Sequence, residues 1–183
     1  QFIIDAMKAK PAAAWPDFVE AINNGSIFSI VTARGHTPSV LKEGVYNYIV
    51  SNTNGINSNE LVKNLEKYRD LNDEGTISKR EMIREYLDLC KFYPVTHGKG
   101  SAAEVEELKI EALKEFVKYV KEMSTHIQKK AFLKNKISNY FVPKVGFSDD
   151  DLKNVESVKK HFKNDPENII KTYLTKGGIK KEY

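Results

Sequence analysis

The stretch "VPKVGFSDDDLKNV", residues 142–155, sets three consecutive carboxylates, Asp149, Asp150 and Asp151, directly behind a short apolar run. On a solvated turn, water screens the repulsion among them at small cost. At the mouth of a buried strand the cost grows unless a cation is there. The run therefore reads as either a solvated turn or a metal site. A second stretch, "SIFSIVTARG" (26–35), ends an apolar run in Thr32, Ala33, Arg34 and Gly35. A hydroxyl followed by backbone N–H groups at a strand tip suits phosphate oxygens. Mg2+ commonly binds through one or two carboxylates plus phosphate and water, so the two stretches together point to phosphate chemistry supported by Mg2+.

A third candidate is "DLNDEGTISKRE", residues 70–81, which fits the twelve-residue Ca2+ loop of an EF-hand. Asp70, Asn72 and Glu74 stand at the first three side-chain ligand positions. Gly75 is at the sharp turn, Thr76 supplies the backbone carbonyl and Glu81 closes the loop. Against it, Glu74 is longer than the usual ligand at its position, Arg69 directly precedes the loop, and no second hand exists to pair with it. A helix–turn–helix, with Gly75 ending one helix and Ser78 capping the next, accounts for the same letters.

The elements that must position these residues alternate. Residues 12–25 carry Trp15, Phe18, Val19 and Ile22 at helical spacing and end at Gly25. Residues 26–35 read as a strand. Residues 37–51 read as a helix with Thr37 as N-cap and Pro38 at its first position. Two further helices follow over 57–71 and 78–89, then a strand over 90–96. A long amphipathic helix spans 101–123, with Leu108, Ala112, Phe116 and Val120 along one side. A strand over 142–148 leads into a helix over 150–162 with acids in its first turn, and "YLTKGGIKKEY" reads as a frayed basic tail. Strands alternating with helices predict an α/β fold with a parallel sheet and helices on both faces, in which ligands bind beyond the C-terminal strand ends.

Composition bounds the rest. The chain has 183 residues, a net charge of +4 and one cysteine, so it forms no internal disulfide. Cys90 reads as a small buried hydrophobe, and the lone cysteine fits a reducing compartment. No apolar run is long enough for a transmembrane helix, and no membrane partner is expected. His36, His97, His126 and His161 show no ligand spacing. Between Lys109 and Lys144 there are nine lysines against three glutamates. This is either a set of solvated helix faces or a positive field for an anionic substrate.

"VTARG" and "GFSDDDLKNV", each at the end of an apolar strand and in this order, resemble motifs II and IV of the haloacid dehalogenase (HAD) superfamily. With "TARGH" and "YLDLCKFYPV", the likeness is closest to the HAD-like phosphatases of tailed bacteriophages, over residues 11–163. The resemblance implies a Rossmann-like parallel sheet in a single HAD-like domain over 1–183 that lacks its N-terminal strand, with a helical insertion or cap at 52–89 between motifs II and III. It implies Mg2+-dependent hydrolysis of a phosphomonoester, either a phosphorylated small molecule or a nucleic-acid end. Thr32 falls on the motif II hydroxyl that hydrogen-bonds the phosphoryl group, with Ala33 and Arg34 beside it. Asp149 and Asp150 fall on the metal-holding carboxylates, and Asn154 on a position that supports them. The motif III lysine matches Lys109 best and Lys114 second. Thr32 and Asp149 or Asp150 are then expected on neighbouring strand tips. A phage-encoded protein of this kind is expected in the host cytoplasm, with the virion as the alternative.

One motif of the pattern is missing. Motif I, Asp-x-Asp-x-Thr on a strand, supplies the carboxylate nucleophile, and no such motif occurs in the chain. In "FIIDAMKA" (2–9), Asp5 matches the first acid, but Met7 and Ala9 replace the other two groups. The expectation is a helix here, with the motif I strand encoded before Gln1 or on a separate segment, and with this chain assembling with such an N-terminal segment or with other phage proteins. The alternative is a non-catalytic HAD-like module. Without motif I the chain is expected to bind Mg2+ weakly, and at least one of the crowded carboxyls is expected to rise in pKa.

Overall fold

The computed structural model of the chain describes residues 12–96 and 102–183. "FIIDAMKA", with Asp5, and His97 in "HGKGS" lie outside the described residues. The chain divides between residues 97 and 98 into two compact units, each of mixed α/β structure.

In the first unit, α1 (Trp15–Asn23) opens with Pro16 in its first turn, where the missing N–H costs no helical bond. It closes in a Schellman motif: Gly25, at φ +70°, donates to the Ile22 carbonyl, and Ser26 to that of Ala21. β1 (Ser29–Thr32) runs parallel to β2 (Lys91–Pro94), with Ser29 opposite Lys91 and Thr32 opposite Pro94. A parallel pair needs a long crossover. Here it consists of α2 (Pro38–Val50), a 3-10 turn (Thr53–Gly55), α3 (Ser58–Leu71) and α4 (Lys79–Leu89). Thr37 caps α2 through its side chain, as expected.

Phe28, just ahead of β1, centres the core. Its ring meets Phe18 at 5.0 Å, Phe92 at 5.8 Å and Tyr86 at 6.1 Å, all edge-on, the geometry the ring quadrupoles favour. The Tyr86 hydroxyl donates to the Ser26 carbonyl at 2.5 Å, so this buried ring keeps its polar end satisfied. Residues 52–89 hold the 3-10 turn, α3 and α4 with short turns between them, and Leu61, Ile83 and Leu87 share one core with Phe28 and Phe92. Cys90 is buried there, and burial pushes its thiol up to about 12.

In the second unit, α5 (Ala102–Leu133) runs ten residues past its expected end. The Thr125 hydroxyl donates back to the Lys121 carbonyl and so needs no break in the helix. β3 (Val145–Asp149), α6 (Leu152–His161) and β4 (Ile170–Lys176) form a βαβ unit, with β3 and β4 parallel. Val155 and Val158 of α6 are buried, as are Val145 and Phe147 of β3.

The C-terminal stretch is not a frayed tail. β4 turns back into β5 (Ile179–Glu182) through Gly177 and Gly178, at φ +63° and +77°. Two residues with positive φ make the primed turn that matches strand twist. The Tyr183 N–H then donates to the Thr172 carbonyl, and the Thr172 hydroxyl to that of Tyr183.

The expected sheet is present in coarser form. Both parallel pairs exist, but β3 pairs with β4 and β1 with β2, in separate sheets. Among the described residues β1 and β3 are therefore each edge strands. No described helix is long and apolar enough to cross a membrane.

Phe28→Ala removes the ring on which three aromatic side chains converge. It is expected to destabilise the first unit by about 3–5 kcal/mol, measured as a lower urea midpoint at constant slope.

Candidate functional site

The three aspartates do three different jobs. Asp149 ends β3 and turns inward, its side chain only 9% exposed. Asp150 is exposed. Asp151 is the N-cap of α6, its carboxylate accepting from the Lys153 N–H. The helix thus begins one residue after the acids, and its first turn holds none.

Four donor contacts converge on Asp149. Lys109, reaching across from α5, donates from Nζ to Oδ2 at 2.8 Å, and its own side chain is 13% exposed. The Asp151 N–H donates to Oδ1 at 2.9 Å. Asn154, in the first turn of α6 and buried, donates from Nδ2 to both oxygens at 3.2 Å. Burial is the largest single effect on the carboxyl and pushes its pKa up. Lys109, the Asp151 N–H and Asn154 together outweigh it, and Asp149 ends below the usual carboxylate range. The expected rise is thus reversed at Asp149, because a cation forty residues away in sequence compensates it. Of the two lysines matched to motif III, Lys109 makes this contact, whereas Lys114 pairs on the surface with Glu111.

These donors do not by themselves make a Mg2+ site. A carboxylate offers about four acceptor positions, and the contacts on Asp149 fill them. Among the described residues no three His, Cys, Asp or Glu side chains converge on one point. An ion would have to displace a donor from Asp149, and Asp150 alone would add a second carboxylate.

In the first unit, Thr32 sits at the tip of β1. Its Oγ1 accepts from the Arg34 N–H at 3.2 Å. That N–H is therefore turned onto the threonine rather than outward, while the hydroxyl proton remains a donor. Ala33 and Arg34 are exposed. The Ala33 carbonyl accepts from the Thr96 hydroxyl, and the Val95 N–H donates to the Thr32 carbonyl at 2.9 Å. Thr96 adds a second hydroxyl at this sheet end, a residue that sequence reasoning missed. Its only signal was the position of "PVT" at the end of a strand.

The 70–81 stretch is a helix–turn–helix whose side chains serve caps. α3 ends with Asn72 as C-cap and Asp73 at φ +57°, so Asp73, not Gly75, breaks the helix. Ser78 and Glu81 form a reciprocal capping box at the start of α4. The Arg69 guanidinium donates to the Gly75 carbonyl at 2.6 and 2.8 Å and pairs with Glu74 and Glu85. With a protein cation among the acids and Glu81 committed to a cap, the arrangement of Asp70, Asn72, Glu74, Thr76 and Glu81 does not fit a Ca2+ loop.

Compared with protein-family models, with curated proteins and with solved structures, the chain matches none.

Two outcomes are expected. Because Asp149 is held below its unfolded value, its stabilising contribution is complete above about pH 4 and is lost as pH falls through the lower folded value. Lys109→Met removes the cation paired with the carboxylate and leaves just the Asp151 N–H and Asn154 against burial, so the Asp149 pKa rises and the ionised form destabilises. The variant should lose about 3 kcal/mol at pH 7, and the gap from the parent should shrink below about pH 4, followed by thermal melts across pH. Second, millimolar Ca2+ and a chelator should both leave the Tm unmoved, since a ligand stabilises only by binding the folded state.

Proposed function

We propose that the chain is part of a HAD-type phosphomonoester hydrolase whose nucleophile comes from a segment outside the described residues. One observation carries this reading. Lys109 and Asp149, matched separately to two motifs of that family, form a buried ion pair at 2.8 Å on the C-terminal tip of a parallel strand.

The pair has a use in phosphoryl chemistry. Asp149 stays ionised and fixed by Asn154 and the α6 backbone. Lys109 holds three donors on its ammonium, so it can bind Asp149 and an anionic oxygen together. β3 is an edge strand among the described residues. A parallel strand added there would lie about 4.8 Å away, bringing carboxylates at its own tip beside Asp149 and Asp150. Such carboxylates would complete a Mg2+ site that these residues do not make up alone. Thr32 is assigned the phosphoryl-binding hydroxyl by the same resemblance.

A second reading also has an observation behind it. All acceptor positions of Asp149 are already taken, as suits a non-catalytic HAD-like module used for binding or assembly, in a phage particle for instance.

The two readings separate by assay. With Mg2+ and p-nitrophenyl phosphate, the chain as it stands should turn over hardly at all. Where an Asp-x-Asp-x-Thr strand segment is found upstream or on a separate chain, adding it should produce Mg2+-dependent hydrolysis. Asp149→Asn should then lower it by about 100-fold, and Thr32→Ala by roughly the same factor. Robust turnover without the segment, or none with it, sinks the hydrolase reading.

A further inference from the structure

The second unit holds eighteen lysines against thirteen acids, and its charge is concentrated. From residue 123 to residue 148 there is no aspartate or glutamate, while Lys129, Lys130, Lys134, Lys136 and Lys144 fall within the run. The same stretch carries the largest group of exposed apolar side chains. Phe132 is 43% exposed, Leu133 72%, Tyr140 59%, Phe141 63% and Val142 45%.

This surface is built rather than merely left open. α5 ends in a Schellman motif, with Asn135 at φ +55° and the Lys136 N–H donating to the Ala131 carbonyl at 2.8 Å. The chain then turns back alongside the helix. Gln128, buried in the last turns of α5, clamps it there: its amide donates to the Phe141 carbonyl, and its carbonyl accepts from the Phe141 N–H, both at 2.8 Å. A buried amide thus spends both ends on holding one residue whose ring points to solvent. Beside it, Phe132 and Tyr140 stack at 5.5 Å and 22°.

We propose that this end of α5 and the segment after it bind single-stranded nucleic acid, with Phe132, Tyr140 and Phe141 stacking on bases and Lys129, Lys134 and Lys136 meeting phosphates. Exposed flat rings among lysines are the two components of such a surface. The charge selects a polyanion. A second copy of the chain would set lysine against lysine. An anionic bilayer matches the charge, but residues 134–144 are neither helix nor strand, and irregular backbone enters hydrocarbon only at high cost in unmet hydrogen bonds. The proposal stands apart from the hydrolase reading, because it concerns binding and requires no metal or nucleophile.

The test is fluorescence anisotropy of the full chain with a labelled oligo(dT) and with a duplex of equal length, across a salt series. Expected are tighter binding to the single strand and a log–log salt slope of about −2, as for three phosphate contacts. Tyr140→Ser with Phe141→Ser should weaken binding about tenfold per ring and leave the salt slope unchanged. Lys134→Glu with Lys136→Glu should flatten the slope. Phe132→Ser alone, and Gln128→Leu, which frees the segment but keeps its rings, should each weaken binding too, covering the case of a double variant that does not fold by circular dichroism. No binding at low salt, equal affinity for duplex, or ring variants of parental affinity would overturn the proposal. So would binding to phosphatidylserine vesicles without oligonucleotide binding, or self-association in sedimentation that the ring variants abolish.

Discussion

The second unit is organised around one ion pair. Lys109 and Asp149 are both largely removed from water, and a buried charge is tolerated only when paired and hydrogen-bonded. That requirement constrains three elements at once. α5 must present Lys109, β3 must end at Asp149, and α6 must start close enough for the Asp151 N–H and Asn154 to reach the same carboxylate. The abrupt strand-to-helix turn after Asp149 follows from this, with Asp151 in the cap position.

The same rule governs the acid-rich turn of the first unit with a different outcome. There Arg69 gathers Glu74, Glu85 and the Gly75 carbonyl, and the glutamates remain about half exposed. Ion pairs so open to water contribute little stability. What fixes that turn is cap geometry at Asn72, Asp73 and Ser78. Two acidic runs that look alike as letters therefore differ physically. One is a solvated turn, and the other is a compensated, half-buried carboxylate held at a strand tip. Only the second has the preorganisation that chemistry at a phosphoryl group would use.

Local signals were mostly legible. Thr37-Pro38, Gly25 and Ser78 marked helix ends where they occur. Each works through its own backbone or that of residues three or four away. The misses are also physical. α5 outran its expected end because Thr125 satisfies itself within the helix. The C-terminal hairpin was hidden because "KTYLTKGGIKKE" is rich in lysine, although two adjacent glycines are a turn signal. The charge suggested a solvated tail, while Leu174 and Thr172 hold the strand to its sheet.

The sequence by itself determined the types and order of the described elements up to the helix that ends at His161, together with several of their caps, because these depend on neighbours within a few positions. Which strand lies beside which is a different matter. β3 chose β4 rather than β1 or β2, and a period-2 apolar pattern carries no record of its partner. The state of Asp149 was likewise decided by tertiary structure alone. Its pKa follows from Lys109, forty residues away, and electrostatic compensation depends on distance in space, which a linear sequence does not contain.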